Sequence, residues 1–231
     1  FTFSIAGSDA SKFIIDSSSG VVKFKDSEKP DYESGKIKYS FKATLSDGKY
    51  SSTQDVVINI ANKDDNAPVF TSKDTATVDE NTSNDAITLK ADDADGGKLT
   101  YSISGSDASD FSVDADLGIV TFKALPDYET KTSYLFKATV TDDGGSIDTQ
   151  DVTITIKNIN DNTPVLTNDD NVTVDEEQTD AITLTASDID NKDGVIDTFT
   201  FSIAGSDASK FIITSSSGVV KFKDSEKPDY E

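Results

Sequence analysis

The chain has 231 residues, with 43 Asp+Glu against 21 Lys+Arg, a formal net charge of −22, and no His, Cys, Met or Trp. All the basic residues are lysine. This composition removes thiol catalysis, disulfides, the commonest general base and the usual nitrogen and sulfur ligands of zinc, copper and iron. A strongly negative chain without arginine also disfavours nucleic acid and anionic membranes. No apolar run approaches the ~20 residues of a membrane-spanning helix. Phe1 is not a natural start, so the sequence reads as a fragment of a longer chain.

Repetition governs everything that follows. Residues 1–33 recur at 199–231 with one change, Asp16 against Thr214, an offset of 199 − 1 = 198. A diverged copy, LTYSISGSDASDFSVDADLGIVTFKALPDYE, occupies 99–129. The flanks repeat as well: NKDDNAPVF (62–70) against NINDNTPVL (158–166), and 76–95 against 172–190. A unit of about 98–100 residues is too long for a solenoid repeat and indicates tandem domains. We expect a partial repeat at 1–65, a complete one at 66–163 and a second partial one at 164–231.

Within the complete copy, period-two alternation predicts half-buried strands in chain order. A short strand near 75–79 is followed by Ile87, Leu89 and Ala91 on one face, then Tyr101 and Ile103. Another short strand is expected near 110–114, then Val120 with Phe122. The longest stripe is Tyr134, Phe136, Ala138 and Val140, followed by Val152, Ile154 and Ile156. Turn signals separate them at Gly96-Gly97, Ala115-Asp116-Leu117-Gly118 and Asp143-Gly144-Gly145. Ser106-Asp107-Ala108-Ser109 suits a turn or the cap of a single helical turn. The expectation is all-β: seven-stranded, antiparallel, Greek-key (immunoglobulin-like) β-sandwiches joined end to end.

The acidic excess has three readings: solvated surface, tolerance of a salt-rich habitat, or carboxylates converging on hard divalent cations, which prefer oxygen ligands. Acids recurring in fixed motifs favour the last. Glu80 and Glu176 follow the first strand of their repeats. D-Y-E gives Asp31 with Glu33, Asp127 with Glu129, and Asp229 with Glu231. The inter-repeat stretches are Asn62-Lys63-Asp64-Asp65-Asn66 and Asn158-Ile159-Asn160-Asp161-Asn162. D-x-D gives Asp93 with Asp95 and Asp188 with Asp190, and Asp47 and Asp142 end the long strands. Two acids at i and i+2 point the same way along extended chain, so both can grip one site. An EF-hand loop from Asp188 fails, with Lys192 at a ligand position and no Glu at the twelfth. Asn81-Thr82-Ser83 and Asn171-Val172-Thr173 fit a glycosylation triplet, which is common by chance. No nucleophile–base pair is visible, so no enzyme is expected.

These motifs, in one order and at one period over the whole chain, resemble cadherin repeats, and more closely the cadherin-like repeats of large bacterial surface proteins. The resemblance implies Ca²⁺ at the junctions between repeats. It assigns Asp31, Glu33, Asp64, Asp65, Asn66, Asp93, Asp95 and Asp142 to the first junction, with backbone oxygens near Lys63 and Asn66. The second would use Glu80, Asp127, Glu129, Asn160, Asp161, Asn162, Asp188 and Asp190, with backbone oxygen from Ile159. Asp47, Glu176, Asp229 and Glu231 would belong to junctions beyond this chain. One departure recurs: the family's first linker Asp is Asn62 here, and Asn158 in the second linker. Because each junction also lacks one acid at the ends of the chain, incomplete occupancy is expected at both.

The resulting expectation is a calcium-rigidified extracellular spacer or adhesion segment of a bacterial surface or biofilm protein, with affinity on the order of 10⁻⁴–10⁻³ M. The alternative is a module that itself binds a polysaccharide or a like repeat on another chain, its partial repeats completing one another as a head-to-tail filament.

Overall fold

The computed structural model describes residues 1–82, 85–192, 198–229 and 231. Ser83 of one glycosylation triplet therefore lies outside the described residues. The first repeat contributes β1 (Thr2–Ala6), β2 (Phe13–Ile15), β3 (Val22–Phe24), β4 (Lys38–Ser46) and β5 (Ser51–Asn59). The middle repeat runs through β6 (Val69–Phe70), β7 (Thr75–Asp79), β8 (Asp85–Thr88), β9 (Ala91–Asp92), β10 (Thr100–Ser104), β11 (Phe111–Val113), β12 (Ile119–Phe122), β13 (Ser133–Thr141) and β14 (Ile147–Lys157). The third contributes β15 (Val165–Leu166), β16 (Asp180–Thr183), β17 (Ala186–Ser187), β18 (Phe211–Thr214) and β19 (Val219–Phe222).

In the middle repeat a four-stranded sheet, β10-β13-β14-β7, packs over a three-stranded one, β11-β12-β8, and β6 pairs with β9 alone. The alternating stripes meet between them. Phe136, Ala138 and Val140 of β13, Val152, Ile154 and Ile156 of β14, and Val120 of β12 are all fully buried. Phe111 and Phe122 are register partners with ring centroids 4.6 Å apart, and both touch Tyr134. The same pair recurs as Phe13 with Phe24 at 4.5 Å and Phe211 with Phe222 at 4.8 Å.

Three details differ from the sequence expectation. First, the sheet is not purely antiparallel: β7 runs parallel to β14, from Thr153↔Thr75 to Lys157↔Asp79. Only a hairpin connection imposes antiparallel order, and β7 is followed by β8 in the opposite sheet. Second, the strand expected across 87–91 is split, with β8 pairing β12 and β9 pairing β6. Between them Leu89 is buried, and its N–H donates to the Gly118 carbonyl at 2.8 Å. Gly118 has φ +68, and a Cβ there would collide with the Leu89 carbonyl oxygen, so only glycine closes this turn.

Third, the S-D-A-S segments do form single 3₁₀ turns (Ala10–Lys12, Ala108–Asp110, Ala208–Lys210), but the preceding Asp does not cap them. Asp107 instead reaches across to β13, accepting from the Leu135 N–H at 2.7 Å and from Lys131 Nζ at 2.6 Å. Asp9 does the same with Ser40 and Lys36 in the first repeat. The Lys131 ammonium also sits 4.2 Å from the centre of the Tyr134 ring. Further 3₁₀ turns at Asp26–Glu28 and Asp224–Glu226 carry no sequence signature that alternation reveals.

Phe136 sits at the centre of this core, so Phe136→Ala should cost the middle repeat about 3–5 kcal/mol. A shift in urea midpoint corresponding to less than about 1 kcal/mol would show that the stripe is not the packing centre.

Candidate metal centres at the repeat junctions

Both linkers are seated in the same way on the repeat that follows them. At the first junction the Asp65 and Asn66 N–H groups donate to Asp95 Oδ2 at 2.8 and 2.6 Å, and the Asn66 amide donates to Asp95 Oδ1 at 3.0 Å. At the second, Asp161 and Asn162 N–H reach Asp190 Oδ2 at 3.0 and 2.6 Å, and the Asn162 amide reaches Oδ1 at 2.8 Å. The first Asp of each D-x-D turns its Oδ1 to the N–H of the second: Asp93 to Asp95 at 2.8 Å, Asp188 to Asp190 at 3.0 Å. Each loop is thus folded by its own acids, and one carboxylate projects toward the linker.

The other side of each junction comes from the preceding repeat. Glu80 is only 1% exposed and receives the Tyr128 N–H on Oε2 and the Ile159 N–H on Oε1, both at 2.8 Å. It therefore ties D-Y-E to the linker. The next residue, Asn81, has φ +58, which Asn tolerates well, and its amide hydrogen-bonds Asp161. Glu177 adopts the same conformation at the equivalent place in the third repeat.

Three acidic groups result. One carboxylate oxygen from each of Glu33, Asp65 and Asp95 lies within 4.8 Å of the others; so do those of Glu80, Asp127 and Glu129, and those of Glu129, Asp161 and Asp190. Asp64 stands apart from the first group. It lies against Gly144, and its charge is felt by Asp142, Asp95, Asp93 and Asp143. Asp31 is turned onto its own loop, accepting from Glu33 and Ser34 N–H. The Lys63 ammonium lies 3.4 Å from Asp65 Oδ2, and the Ile159 N–H donates to Glu80. Asn160 is exposed.

Electrostatics divide the acids into two kinds. Hydrogen bonds from the Asn66 backbone first, then its amide and the Asp65 backbone, pull Asp95 below the usual carboxylate range against the effect of desolvation. Burial alone would raise Asp190, but donors from Asn162 and Asp161 outweigh it and lower the group. Glu129 is raised by desolvation and by the charges of Glu80, Asp190 and Asp161, against a bond from its own N–H. For Glu33, its own N–H lowers the value, but desolvation, Asp95 and Asp31 prevail and raise it. Asp64 is raised by desolvation and then by Asp142, Asp95, Asp93 and Asp143.

The donor set is all oxygen. Three buried carboxylate oxygens, Asp93 Oδ2, Glu129 Oε1 and Asp142 Oδ2, have no hydrogen-bond partner among the described residues. Buried anionic oxygens without donors are costly, and a hard cation with oxygen preference satisfies them. Sequence reading passed over Asn81 and Asp143. Asn81 was visible as the Asn of V-D-E-N; Asp143, which accepts the Lys98 N–H at 3.1 Å, was visible only as the second Asp of T-D-D-G-G.

The cadherin domain family model matches residues 74–157. Protocadherin Fat 1 from Homo sapiens is 36% identical over 174 residues, covering 70% of this chain and 4% of that protein. Protein dachsous from Drosophila melanogaster is 31% identical over 178 residues, covering 71% of this chain and 5% of that protein. The chain thus spans a small part of the length of these relatives. Among solved structures, mouse Cadherin-23 EC22-24 superposes with a TM-score of 0.72 at 23% identity, covering 98% of this chain and 75% of that one. The Protocadherin gammaB7 EC3-6 cis-dimer structure gives 0.71 at 23%, covering 95% and 58%.

The raised acids fix a pH dependence for the metal-free protein. A carboxyl raised on folding binds its proton more tightly in the native state, so it stabilises most below the unfolded value, about 4.3 for Glu. That stability is lost as pH rises through the folded value. Metal-free protein should therefore melt higher as pH falls from neutral toward about 5, above the range in which the lowered acids such as Asp95 and Asp190 begin to cost stability, and Glu129→Gln should raise the metal-free melt at neutral pH. A melt that falls over this range, or a Gln variant no more stable than the parent, would contradict the assignment.

Proposed function

Since the chain is a run of cadherin-like repeats, we propose that its junctions bind Ca²⁺ and that it serves as a calcium-stiffened extracellular adhesion or spacer segment. The observation that carries this reading is the convergence of carboxylates from two successive repeats and the linker between them, beside which Asp93, Asp142 and Glu129 each keep a buried oxygen without a partner among the described residues.

At the first junction the holding residues would be Glu33, Asp64, Asp65, Asp93, Asp95 and Asp142, with Asp31 and Asn66 beside them. At the second they would be Glu80, Asp127, Glu129, Asp161, Asp188 and Asp190, with Asn160 and Asn162 beside them. When bound, calcium supplies positive charge that cancels the mutual repulsion of these carboxylates and links the two repeats through shared ligands. The chain's own residues set the frame for it. Glu80 fixes the D-Y-E loop against the linker, Asp93 and Asp188 fold the D-x-D loops, and the linker N–H groups aim Asp95 and Asp190.

We place the segment in a bacterial surface or matrix protein on the strength of its sequence resemblance alone; the relatives matched are animal proteins. Contact with a like repeat is the second reading, supported by likeness to a structure solved as a cis-dimer.

Any ligand that binds the ordered junction better than the disordered one raises stability by mass action. Adding millimolar calcium to chelated protein should raise the melting temperature and lengthen the particle seen by small-angle scattering. Titration calorimetry should register ions at both junctions. Unchanged melt and dimensions, with no heat of binding, would remove the mechanism.

A further inference from the structure

The departure at the first linker position has a consistent structural counterpart. The Asn62 amide donates to the Asp95 carbonyl oxygen at 2.7 Å, and the Asn158 amide donates to the Asp190 carbonyl at 2.8 Å and the Lys192 carbonyl at 3.1 Å. With the bonds to the Asp95 and Asp190 carboxylates, three linker residues at each junction, Asn62, Asp65 and Asn66 or Asn158, Asp161 and Asn162, donate to one residue of the next repeat. The arrangement is the same at both junctions although the linker sequences, NKDDN and NINDN, differ. Only a donor fits here, because the partners are carbonyl oxygens. An Asp would set its own oxygens against them and add a charge to a site already crowded with carboxylates. Asn158 is 5% exposed, so water is poorly placed to substitute.

We propose that Asn62 and Asn158 are positioning residues that clasp each linker to the following repeat without metal. The part of each junction that needs an ion is then the carboxylate side, where Glu33 or Glu129 faces the acids of the linker and the D-x-D loop. This inference deepens the calcium reading and rests on it for its functional meaning, although the clasp itself involves no ion. One consequence is that half of each site is assembled before calcium arrives, which reduces the ordering that binding must impose.

The test is amide hydrogen exchange on the whole 231-residue chain. In chelator, wild-type Asp65, Asn66, Asp161 and Asn162 amides should be protected. In Asn158→Asp, the Asp161 and Asn162 amides should exchange about tenfold faster or more in chelator, the loss expected for roughly one buried hydrogen bond. Calcium should restore their protection, with β13 and β14 amides unchanged throughout as the control for folding. Should that variant not fold, Asn62→Asp, at an exposed position where water can partly replace the bond, should speed exchange at Asp65 and Asn66 in the same direction, by less than about tenfold. Wild-type linker amides exchanging at open-chain rates in chelator, or Asp variants with unaltered protection, would overturn the clasp. Protection that follows the clasp in chelator while calcium changes nothing in any variant would leave the clasp standing and remove the calcium reading.

Discussion

Carboxylates brought close together repel, and a chain with twice as many acids as bases must decide where that repulsion is concentrated. Here it is concentrated at the ends of the sandwiches. Their apolar middles are insulated from it, and the Lys–Asp pairs along the strands, such as Lys42–Asp55 and Lys137–Asp151, lie on exposed faces where they contribute little. At the junctions the protein offsets part of the repulsion with backbone N–H donors. Asp95 and Asp190 are well served by them; Glu129 and Asp142 keep an oxygen that is not. On the proposed calcium reading, the division between served and unserved oxygens separates what the polypeptide orders alone from what it leaves to a cation.

The sandwiches are held by means independent of that charge. A Phe–Phe register pair sits at the same place in all three repeats, at nearly the same separation, even though the third has its own surroundings. Aromatic pairs at this distance contribute beyond their buried area. In the first two repeats the Asp of S-D-A-S adds a polar brace from the 3₁₀ turn to the long strand, reinforced by a lysine that also covers a tyrosine ring. Surface positions vary while core and junction persist: the copy at 99–129 differs widely from its neighbours at surface positions yet keeps Phe111, Phe122, Asp127 and Glu129.

Alternation made the long strands legible because β13 and β14 bury one face and expose the other along their whole length. It failed where the chain changes sheets. The stripe Ile87-Leu89-Ala91 reads as one strand, but the pattern does not encode the switch made at Leu89. The parallel direction of β7 was equally invisible, since side-chain periodicity carries no sense of direction. Pairing context also matters. Residues 2–6 form β1 against β4, whereas the identical residues 200–204 form no strand; the Phe201 N–H reaches the Ser215 carbonyl, but among the described residues no strand stands where β4 does for β1. At the junctions, motif spacing picked out the recurring acids but not which of them turn toward one another across the junction and which fold loops. Asp31 and Glu33 look equivalent in sequence, yet one serves its own backbone and the other faces Asp65 and Asp95.

The parallel pairing of β7 with β14 has a mechanical meaning. The middle repeat is entered through the short β6, which pairs only with β9, and then β7, and it is left at the end of β14, so tension that reaches β7 pulls the two strands past one another along their length. Their ladder is then loaded in shear, with its bonds sharing the force, rather than peeled open one bond at a time. A tether assembled from such units would resist stretching at the sandwiches and yield first at the linkers between them.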